Sequence, residues 1–255
     1  MGRLVEAAIL GLVQGLTEFL PVSSSGHLAL IQAVFGWENA ETNLAFNVAV
    51  HLGSLAAVLT FVWRDIVTML TREHRLLWVG AVATLPLAVV GILLKDAVQE
   101  LSGNLLAVGG FLICTSGILW LATRLREGNR RAAELPASRA LLIGFAQAAA
   151  LFPGISRSGS TLVAGLATGL EREQAVRFSF LLAVPAITGA GLFTFLDARG
   201  GGAGDMTELL VGATVSFIAS LFAMRLLVAA VVRRKLGWFA AYCAIVGAVA
   251  IAFGS

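Results

Sequence analysis

The sequence predicts an all-α integral membrane protein with six transmembrane helices and two re-entrant helical hairpins, arranged as an inverted-topology repeat. The first observation is composition: apolar residues make up 58% of the 255 residues and charged residues only 13%. A soluble domain averages about a quarter charged residues. Such a chain would expose apolar area over its whole surface, so we expect lipid to cover it. The other two observations are six long apolar segments and two shorter Ser-rich regions that resemble each other.

The six long segments come first. A spanning helix needs about 20 mostly apolar residues. Six segments meet this requirement, and polar or charged clusters separate most of them: residues 44–63, 76–94, 105–123, 176–196, 209–232 and 237–253. Pro86 and Pro185 fall within two of the spans, where we expect each to kink its helix.

Two further regions do not read as single spanning helices. In residues 4–35, a marginal apolar stretch is followed by the polar turn 21–27 and a short apolar piece. In residues 141–170, two short apolar pieces flank the break 153–160. Non-helical backbone survives at membrane depth only where protein or a water-filled cavity satisfies its polar groups. Each region is therefore predicted to be a re-entrant hairpin.

The two hairpins are related in sequence. One constant shift along the chain aligns six identities within residues 11–26, which are Gly11 with Gly144, Gln14 with Gln147, Phe19 with Phe152, Ser23 with Ser156, Ser25 with Ser158, and Gly26 with Gly159. We interpret this as an internal repeat of about residues 1–125 and 138–255 within a single membrane domain. Each unit holds one hairpin and three spans. Because three is odd, the second unit enters the membrane upside down relative to the first.

The positive charges test this topology. With the N-terminus outside, 14 of the 18 Lys and Arg residues fall in cytoplasmic segments; Arg3, Lys95 and Arg199 fall outside, and Arg157 lies in the second hairpin. This bias predicts that both termini lie outside. It also explains the net charge of +3 through the anionic inner leaflet, so nucleic acid is not an expected partner. The hairpins then open to opposite sides, and their tips meet near the midplane.

The first hairpin contains a candidate metal site. Gln14 and Glu18 are spaced i, i+4, on one face of a helix. A carboxylate in lipid is costly, so a functional role is the default. Oxygen donors suit Mg²⁺ or Ca²⁺ shared with a phosphate, and Gln14 could add a carbonyl oxygen. The alternative is that Glu18 merely caps the Ser-rich turn.

The residues that follow form a candidate phosphate site. Ser23, Ser24 and Ser25 supply hydroxyls, and the backbone N–H groups up to Gly26 can hold an anion near a helix start. His27 lies three residues after Ser24, within reach for proton transfer or for attack on phosphorus. The alternative is a Ser-rich turn that hydrogen-bonds to itself.

The second hairpin contributes a cation. Arg157 is predicted at the tip of the turn, where an unpaired guanidinium is very costly. Its planar fork matches a phosphate. Nearby hydroxyls add donors; they belong to Ser156, Ser158, Ser160 and Thr161. The alternative is a structural ion pair between Arg157 and Glu18. By contrast, His51 lies in a full span and is predicted to be a helix-packing partner rather than a catalyst.

Both motifs resemble those of the bacterial undecaprenyl-pyrophosphate phosphatase family, which is also associated with bacitracin resistance. Residues 14–27, Gln-Gly-Leu-Thr-Glu-Phe-Leu-Pro-Val-Ser-Ser-Ser-Gly-His, resemble the family's (Glu/Gln)-x-x-x-Glu stretch and Pro-x-Ser-Ser-x-Gly-His run. Residues 153–161, Pro-Gly-Ile-Ser-Arg-Ser-Gly-Ser-Thr, resemble its Pro-Gly-x-Ser-Arg-Ser-x-x-Thr motif. Length and hydropathy match over essentially the whole chain.

The resemblance implies removal of the terminal phosphate from a C55 polyprenyl diphosphate, which yields the monophosphate lipid carrier for cell-wall synthesis. It implies a divalent cation and a site on the outer side of the bacterial cytoplasmic membrane. By position, Glu18 with Gln14 would bind the metal, Arg157 would hold the diphosphate, and Ser24 and His27 would be the reacting pair. The family's first motif position varies between Glu and Gln, which leaves open whether Gln14 is a direct ligand.

Several alternatives remain open at the level of sequence. Ser24 attacks phosphorus while His27 handles its proton, or His27 is itself the nucleophile or activates water. A transporter or a flippase for a polyprenyl phosphate is the rival function, because ion-coupled carriers also use inverted repeats with broken helices. The type 2 phosphatidic-acid phosphatases require a histidine after the Ser-Arg pair, and no histidine follows Arg157.

Overall fold

The described part of the chain is mostly helical, with turns and loops between the helices. The computed structural model describes residues 2–35, 40–197 and 205–254, with the backbone alone for 40–43 and 193–197. Within these ranges there are twelve α-helices, one 3-10 helix at Ala132–Glu134 and no β-strand. The α-helices are α1 (Arg3–Phe19), α2 (Ser24–Phe35), α3 (Ala40–Phe61), α4 (Trp63–Thr71), α5 (His74–Leu93), α6 (Lys95–Ser102), α7 (Leu105–Ala122), α8 (Ala137–Ala149), α9 (Arg157–Ala167), α10 (Arg172–Asp197), α11 (Met206–Val232) and α12 (Leu236–Gly254).

Six helices in the described part of the chain are long and apolar enough to cross a membrane. The qualifying stretches are Leu44–Phe61, His74–Leu93, Leu105–Ala122, Arg172–Leu192, Met206–Val232 and Leu236–Gly254. They belong to α3, α5, α7, α10, α11 and α12, and they confirm the six predicted spans. The chain is therefore a multi-pass membrane protein.

Two short helices were missed by the sequence prediction. The span predicted to reach residue 63 is wrong at its end, because Val62 leaves the helical conformation (φ −103°, ψ 16°). At this point α3 stops and α4 begins, and α4 leaves Trp63, Val67 and Leu70 exposed. The second missed helix, α6, has no buried residue. Short helices with one apolar and one polar face are typical of the membrane interface.

Small residues allow α1, α3 and α11 to pack closely. A Cβ atom on Gly11 of α1 would clash with the carbonyl of Gly212 of α11, so α1 and α11 meet backbone to backbone. Ser220 donates to the carbonyl oxygen of Gly15 at 3.3 Å, and the hydroxyls of Ser54 and Ser216 lie 2.9 Å apart. Such contacts are typical of helix packing in membranes, where polar side chains and close backbones replace the hydrophobic effect.

The first helix of the second hairpin packs in a comparable way. A Cβ atom on Gly144 would lie 2.6 Å from the carbonyl oxygen of Ala83 and 2.8 Å from the ring of Pro86. Gly144 is the residue that corresponds to Gly11 when the two motifs are aligned. Each hairpin thus sets its first helix against a span from the other half of the chain: α1 against α11, and α8 against α5.

The loops that carry most of the positive charge meet at one end of the molecule. The backbone N–H of Arg130 donates to the carbonyl oxygen of Gly169 at 3.1 Å. Three ion pairs join other loops and helix ends there, which are Arg131 with Glu73 at 2.6 Å, Arg177 with Asp65 at 3.1 Å, and Arg234 with Glu127 at 2.6 Å. Surface pairs add little stability, but these contacts fix which loops share a face.

Candidate active site

The turn of the first hairpin is held from both sides. Phe19, the last residue of α1, is fully buried and packs edge-to-face on Phe180 of α10 with 5.8 Å between ring centroids. Ser23 has φ +70°, a left-handed conformation that costs a non-glycine residue about 1–3 kcal/mol. The backbone N–H of His27 donates to the carbonyl oxygen of Ser23 at 3.2 Å. Packing of this kind compensates for the strain and fixes where α2 begins.

The turn of the second hairpin is held by α7. Thr115 donates to the carbonyl oxygen of Gly154 at 2.8 Å and accepts from the backbone N–H of Ser156 at 3.0 Å. Gly154 has φ +103°, and a side chain there would strike the carbonyl of Val108. Only glycine fits both requirements. Sequence reasoning missed Thr115, although a threonine within a strongly apolar span is a usable signal.

The two turns make the same hydrogen bonds at the positions that the sequence repeat aligns. In the first turn the Ser23 hydroxyl accepts from Gly26 N–H at 3.4 Å and lies 3.3 Å from the Ser25 hydroxyl. In the second turn the Ser156 hydroxyl accepts from Gly159 N–H at 3.1 Å and lies 3.1 Å from the Ser158 hydroxyl. Ser23 and Ser156 each occupy the N-cap position, before α2 and α9 respectively, which serine favours.

Glu18 lies where the two hairpins meet. Its Oε1 accepts from Nη2 of Arg157 at 2.9 Å. Its Oε2 accepts from the hydroxyl of Ser24 at 2.7 Å and from the amide of Gln14 at 3.0 Å. The side chains of Glu18 and Arg157 are only 8% and 14% exposed, so neither charge could remain there without the other. The ion pair predicted as the alternative role for Arg157 is present.

Arg157 has a donor to spare. Its Nη1 is buried without a hydrogen-bond partner in the described structure. Buried guanidinium groups are normally fully bonded, and an unsatisfied donor there is costly. The atom therefore needs an acceptor that the described residues do not provide. A phosphate oxygen meets that requirement, because guanidinium binds phosphate through two parallel N–H groups.

A cavity of about 230 Å³ lies beside this ion pair. The predicted site residues that line it are Glu18, Ser23, Ser24, Ser25, Ser156 and Arg157. Helices α2 and α9 both begin at its wall, since Ser24 and Arg157 are their first residues. Helix N-termini favour anions. The cavity thus combines a cation, several hydroxyls and two helix N-termini, which suits a phosphate group.

Five other predicted residues are not in the cavity lining. They are Gln14, Gly26, His27, Ser158 and Thr161. The Ser158 hydroxyl donates to the carbonyl oxygen of Leu20 at 3.1 Å, and the hydroxyls of Thr161 and Ser179 lie 2.6 Å apart. In these positions Ser158 ties the second hairpin to the first, while Thr161 ties it to α10.

His27 points to α12 instead of the cavity. Its Nδ1 lies 2.8 Å from the carbonyl oxygen of Ser23, and its Nε2 lies 2.7 Å from the hydroxyl of Tyr242. The imidazole also stacks on the Tyr242 ring. The Ser24 hydroxyl donates to Glu18 rather than to this histidine. Sequence reasoning missed Tyr242, even though it is the single tyrosine of the chain.

A different histidine lines the cavity. His51 of α3 is partly buried, and the residue lines the cavity together with Ser24 and Arg157. Its Nδ1 lies 2.7 Å from the carbonyl oxygen of Asn47, one turn earlier in the same helix. This hydrogen bond is local and joins no second helix. In the sequence, the feature that could have indicated a functional role for His51 is its position inside an apolar span.

The donors at the site are oxygen atoms. In the part of the chain that the structure describes, no group of three or more His, Cys, Asp or Glu side chains could hold a metal ion. Glu18 supplies one carboxylate, and the buried Oε1 of Gln14 has no hydrogen-bond partner there. Mg²⁺ is often bound through one or two carboxylates together with substrate phosphates. The residues therefore fit a hard cation shared with a phosphate, rather than one held by the protein alone.

Comparison with known proteins identifies the family. The family model described as "Bacitracin resistance protein BacA" matches residues 7–249. The chain belongs to the BacA family. This confirms the family predicted from the two motifs, and the matched residues include the turns of both hairpins and the Glu18–Arg157 pair.

Several curated proteins similar to this BacA-family chain are named undecaprenyl-diphosphatase. An undecaprenyl-diphosphatase of Methanosphaera stadtmanae is 39% identical, over 97% of each chain. One of Desulforapulum autotrophicum is 38% identical, over 99% of each. One of Mycobacterium ulcerans is 40% identical, over 95% of this chain and 93% of its own. The similarity is thus nearly full-length in all three.

Proposed function

We propose that this BacA-family protein is an undecaprenyl-diphosphate phosphatase: it hydrolyses undecaprenyl diphosphate to undecaprenyl phosphate and phosphate, and so recycles the lipid carrier of cell-wall synthesis. The similar proteins bear the name of that enzyme, and they align with this chain over nearly their whole length. The observation that carries the proposal is the cavity where Arg157 has an unsatisfied buried Nη1 beside the Ser24–Glu18 hydrogen bond. A terminal phosphate in this cavity would meet a cation, a hydroxyl nucleophile and a proton acceptor together.

The first half of the reaction uses the existing hydrogen bond. Arg157 and the N-termini of α2 and α9 stabilise the charge of the diphosphate, because phosphoryl transfer depends mainly on positioning and charge. The oxygen of Ser24 attacks the terminal phosphorus and passes its proton to Glu18, 2.7 Å away. The bond to the bridging oxygen breaks, and undecaprenyl phosphate leaves. His27 positions the turn through Ser23 and Tyr242.

The second half of the reaction releases phosphate. Water attacks the phosphoserine, the bond between phosphorus and the Ser24 oxygen breaks, and Glu18 returns its proton to that oxygen. A serine nucleophile is weak without such a neighbouring base. The rival roles for His27, as nucleophile or as the base for Ser24, require it to leave Tyr242 and turn toward the cavity.

A divalent cation, Mg²⁺ or Ca²⁺, would be held by Glu18 and the carbonyl oxygen of Gln14, with the remaining ligands from the diphosphate. When bound, it would neutralise phosphate charge that Arg157 alone cannot balance. The buried Oε1 of Gln14 without a partner supports this assignment. The metal dependence of a Gln14 variant tests it.

Two further cavities provide a path for the apolar part of the substrate. One of about 470 Å³ shares Leu87, Leu151 and Ala186 with the phosphate cavity and reaches Lys95 of α6. A third cavity, of about 560 Å³, continues between α5 and α10 and is almost wholly apolar. An isoprenoid chain would bury apolar surface along this path. Burial of each methylene group would contribute about 0.8 kcal/mol of favourable binding free energy.

The finer topology belongs to the same proposal. Residues 1–125 and 138–255 are inverted repeats in one membrane domain, each with a re-entrant hairpin and three spans. Both termini lie outside, and the site opens to the outer side of the cytoplasmic membrane. The matching turns, the pairing of α1 with α11 and α8 with α5, and the clustering of basic loops at the opposite end from α6 support this arrangement.

Cysteine labelling tests the orientation. In a chain with Cys114 and Cys243 changed to alanine, Gln99→Cys on α6 is expected to react with a membrane-impermeant maleimide in intact cells. Glu127→Cys, in a basic loop, is expected to react only after permeabilisation. The reverse pattern would contradict an outward-facing site.

The activity itself is tested with purified protein in detergent. Phosphate release from undecaprenyl diphosphate is expected for the wild type with Mg²⁺ or Ca²⁺. Ser24→Ala should lose about 10³-fold or more, since removal of a nucleophile abolishes its whole pathway. Thr71→Ala, an exposed hydroxyl on α4, is the matched control. No release by the wild type with either metal would overturn the proposal and favour transport of the lipid.

A further inference from the structure

The proposed function leaves one proton without a destination. Glu18 receives the Ser24 proton in the first half of the reaction and returns it when the phosphoserine breaks. The hydrolytic water must therefore give its own proton to another base. Glu18 is the one carboxylate in the cavity lining within the described residues. The second base must come from a different kind of side chain.

Histidine is the side chain that most often does this work, because its neutral ring carries one basic nitrogen near neutral pH. The chain has three histidines. His27 is buried, and both its ring nitrogens are engaged by Ser23 and Tyr242. His74 is exposed at the start of α5, next to the basic loops. Of the three, His51 alone is in the cavity lining.

The hydrogen bond of His51 sets its tautomer. A carbonyl oxygen cannot donate, so Nδ1 must carry the proton that bonds Asn47 at 2.7 Å. In the neutral ring the lone pair is then on Nε2. Because the partner is the backbone of the same helix, the ring is oriented without help from the substrate.

From this geometry we propose that His51 is the base that activates the hydrolytic water in the second half of the reaction. The inference rests on the proposed phosphatase activity. The water oxygen forms a bond to phosphorus while its proton moves to Nε2 of His51. The bond between phosphorus and the Ser24 oxygen breaks, Glu18 protonates that oxygen, and phosphate leaves. His51 then loses its proton to water, and the site returns to its starting state.

The test separates the two halves of the reaction. Purified full-length His51→Gln protein is given undecaprenyl diphosphate labelled in its terminal phosphate, and both released phosphate and acid-trapped phosphoprotein are measured. Phosphate release should fall about 10²–10⁴-fold, the usual contribution of a positioned base. Labelled phosphoserine should accumulate, because formation of the intermediate does not use His51. KM should not rise.

A second variant tests for proton transfer directly. His51→Gly opens space for added imidazole, which should restore a measurable part of the lost phosphate release. His27→Gly should not respond to imidazole, because its ring lies outside the cavity lining. His74→Gln should behave like the wild type. Thermal unfolding of each variant in detergent reports whether it folds.

The outcomes distinguish this inference from the function on which it rests. If the wild type releases no phosphate, the proposed function fails. If the wild type is active and His51→Gln turns over at the wild-type rate, only the role of His51 fails. Loss of release without phosphoprotein accumulation and without imidazole rescue would likewise overturn it, since that pattern indicates a structural role.

Discussion

The two hairpins share a pattern of hydrogen bonds in their turns and differ in their chemistry. Their turns make matching hydrogen bonds at aligned positions of the repeat, through Ser23 in one and Ser156 in the other. At the positions that face the cavity the residues differ: Glu18 corresponds to Leu151, and Ser24 corresponds to Arg157. One hairpin therefore supplies the acid and the hydroxyl, while the other supplies the cation.

This difference explains why neither hairpin can act alone. Glu18 without Arg157 would be an unpaired carboxylate in an apolar region, and Arg157 without Glu18 an unpaired guanidinium, each costly at membrane depth. The matching turns place the two charges 2.9 Å apart. The shared hydrogen bonds of the two turns thus provide the position, and the divergent side chains provide the chemistry.

Among these predictions, removal of the Arg157 guanidinium should have the largest effect on activity. Arg157→Ala is expected to lower kcat/KM for undecaprenyl diphosphate by about 10³–10⁵-fold, the range for arginines that stabilise phosphoryl transfer. Phosphate release by purified protein measures it. Arg126→Ala, an exposed arginine in a basic loop, is the control. A loss below tenfold would remove Arg157 from the reaction.

The same substitution also leaves Glu18 buried without its partner, which costs about 3–5 kcal/mol of stability. Combining it with Glu18→Gln should recover most of the lost thermal stability and none of the activity. Recovery of both would mean that Arg157 contributes only to folding.

The shared packing of the hairpins predicts a smaller, symmetric effect on stability. Gly11→Ala and Gly144→Ala should each lower the free energy of unfolding by about 1–3 kcal/mol, because each new methyl group meets the backbone of a neighbouring span. Gly117→Ala on α7, where a Cβ atom would meet nothing within 4 Å, should be close to neutral. Thermal unfolding in detergent compares them. A response from only one hairpin would show that their packing is not equivalent.

The smallest predicted effect concerns the metal. Gln14→Glu adds a carboxylate beside Glu18 and should lower the Mg²⁺ concentration for half-maximal activity by roughly tenfold, since oxygen sites bind hard cations more tightly as ligand charge increases. Gln174→Glu makes the same change outside the cavity lining, where the side chain accepts from the Ala132 N–H, and should bring no such gain. Equal shifts in both variants, or none in either, would contradict a metal site on the first hairpin.

Much of this fold was predictable because length and hydropathy decide it. The six spans follow from apolar runs of about 20 residues. Helices α4 and α6 were missed because their nine and eight residues are far fewer than the length by which a span is recognised.

The sequence predicted most residues of the site but not which of them contact each other. Glu18, Ser24 and Arg157 stand out as polar residues in apolar sequence, and the structure brings them together. The partner of His27 is 215 residues away, so spacing alone suggested Ser24 where packing provides Tyr242. His51 reaches the cavity because of how α3 packs, which no local pattern specifies.

The central claim is that the two hairpins form one site, and a kinetic double-mutant cycle between them tests it most directly. We would measure kcat/KM for phosphate release from undecaprenyl diphosphate by the wild type, Glu18→Gln, Arg157→Ala and the double variant. Groups that act as a unit are strongly non-additive. The double variant should therefore be about as slow as the slower single variant. Losses that multiply across the two hairpins would show independent contributions and contradict a single composite site.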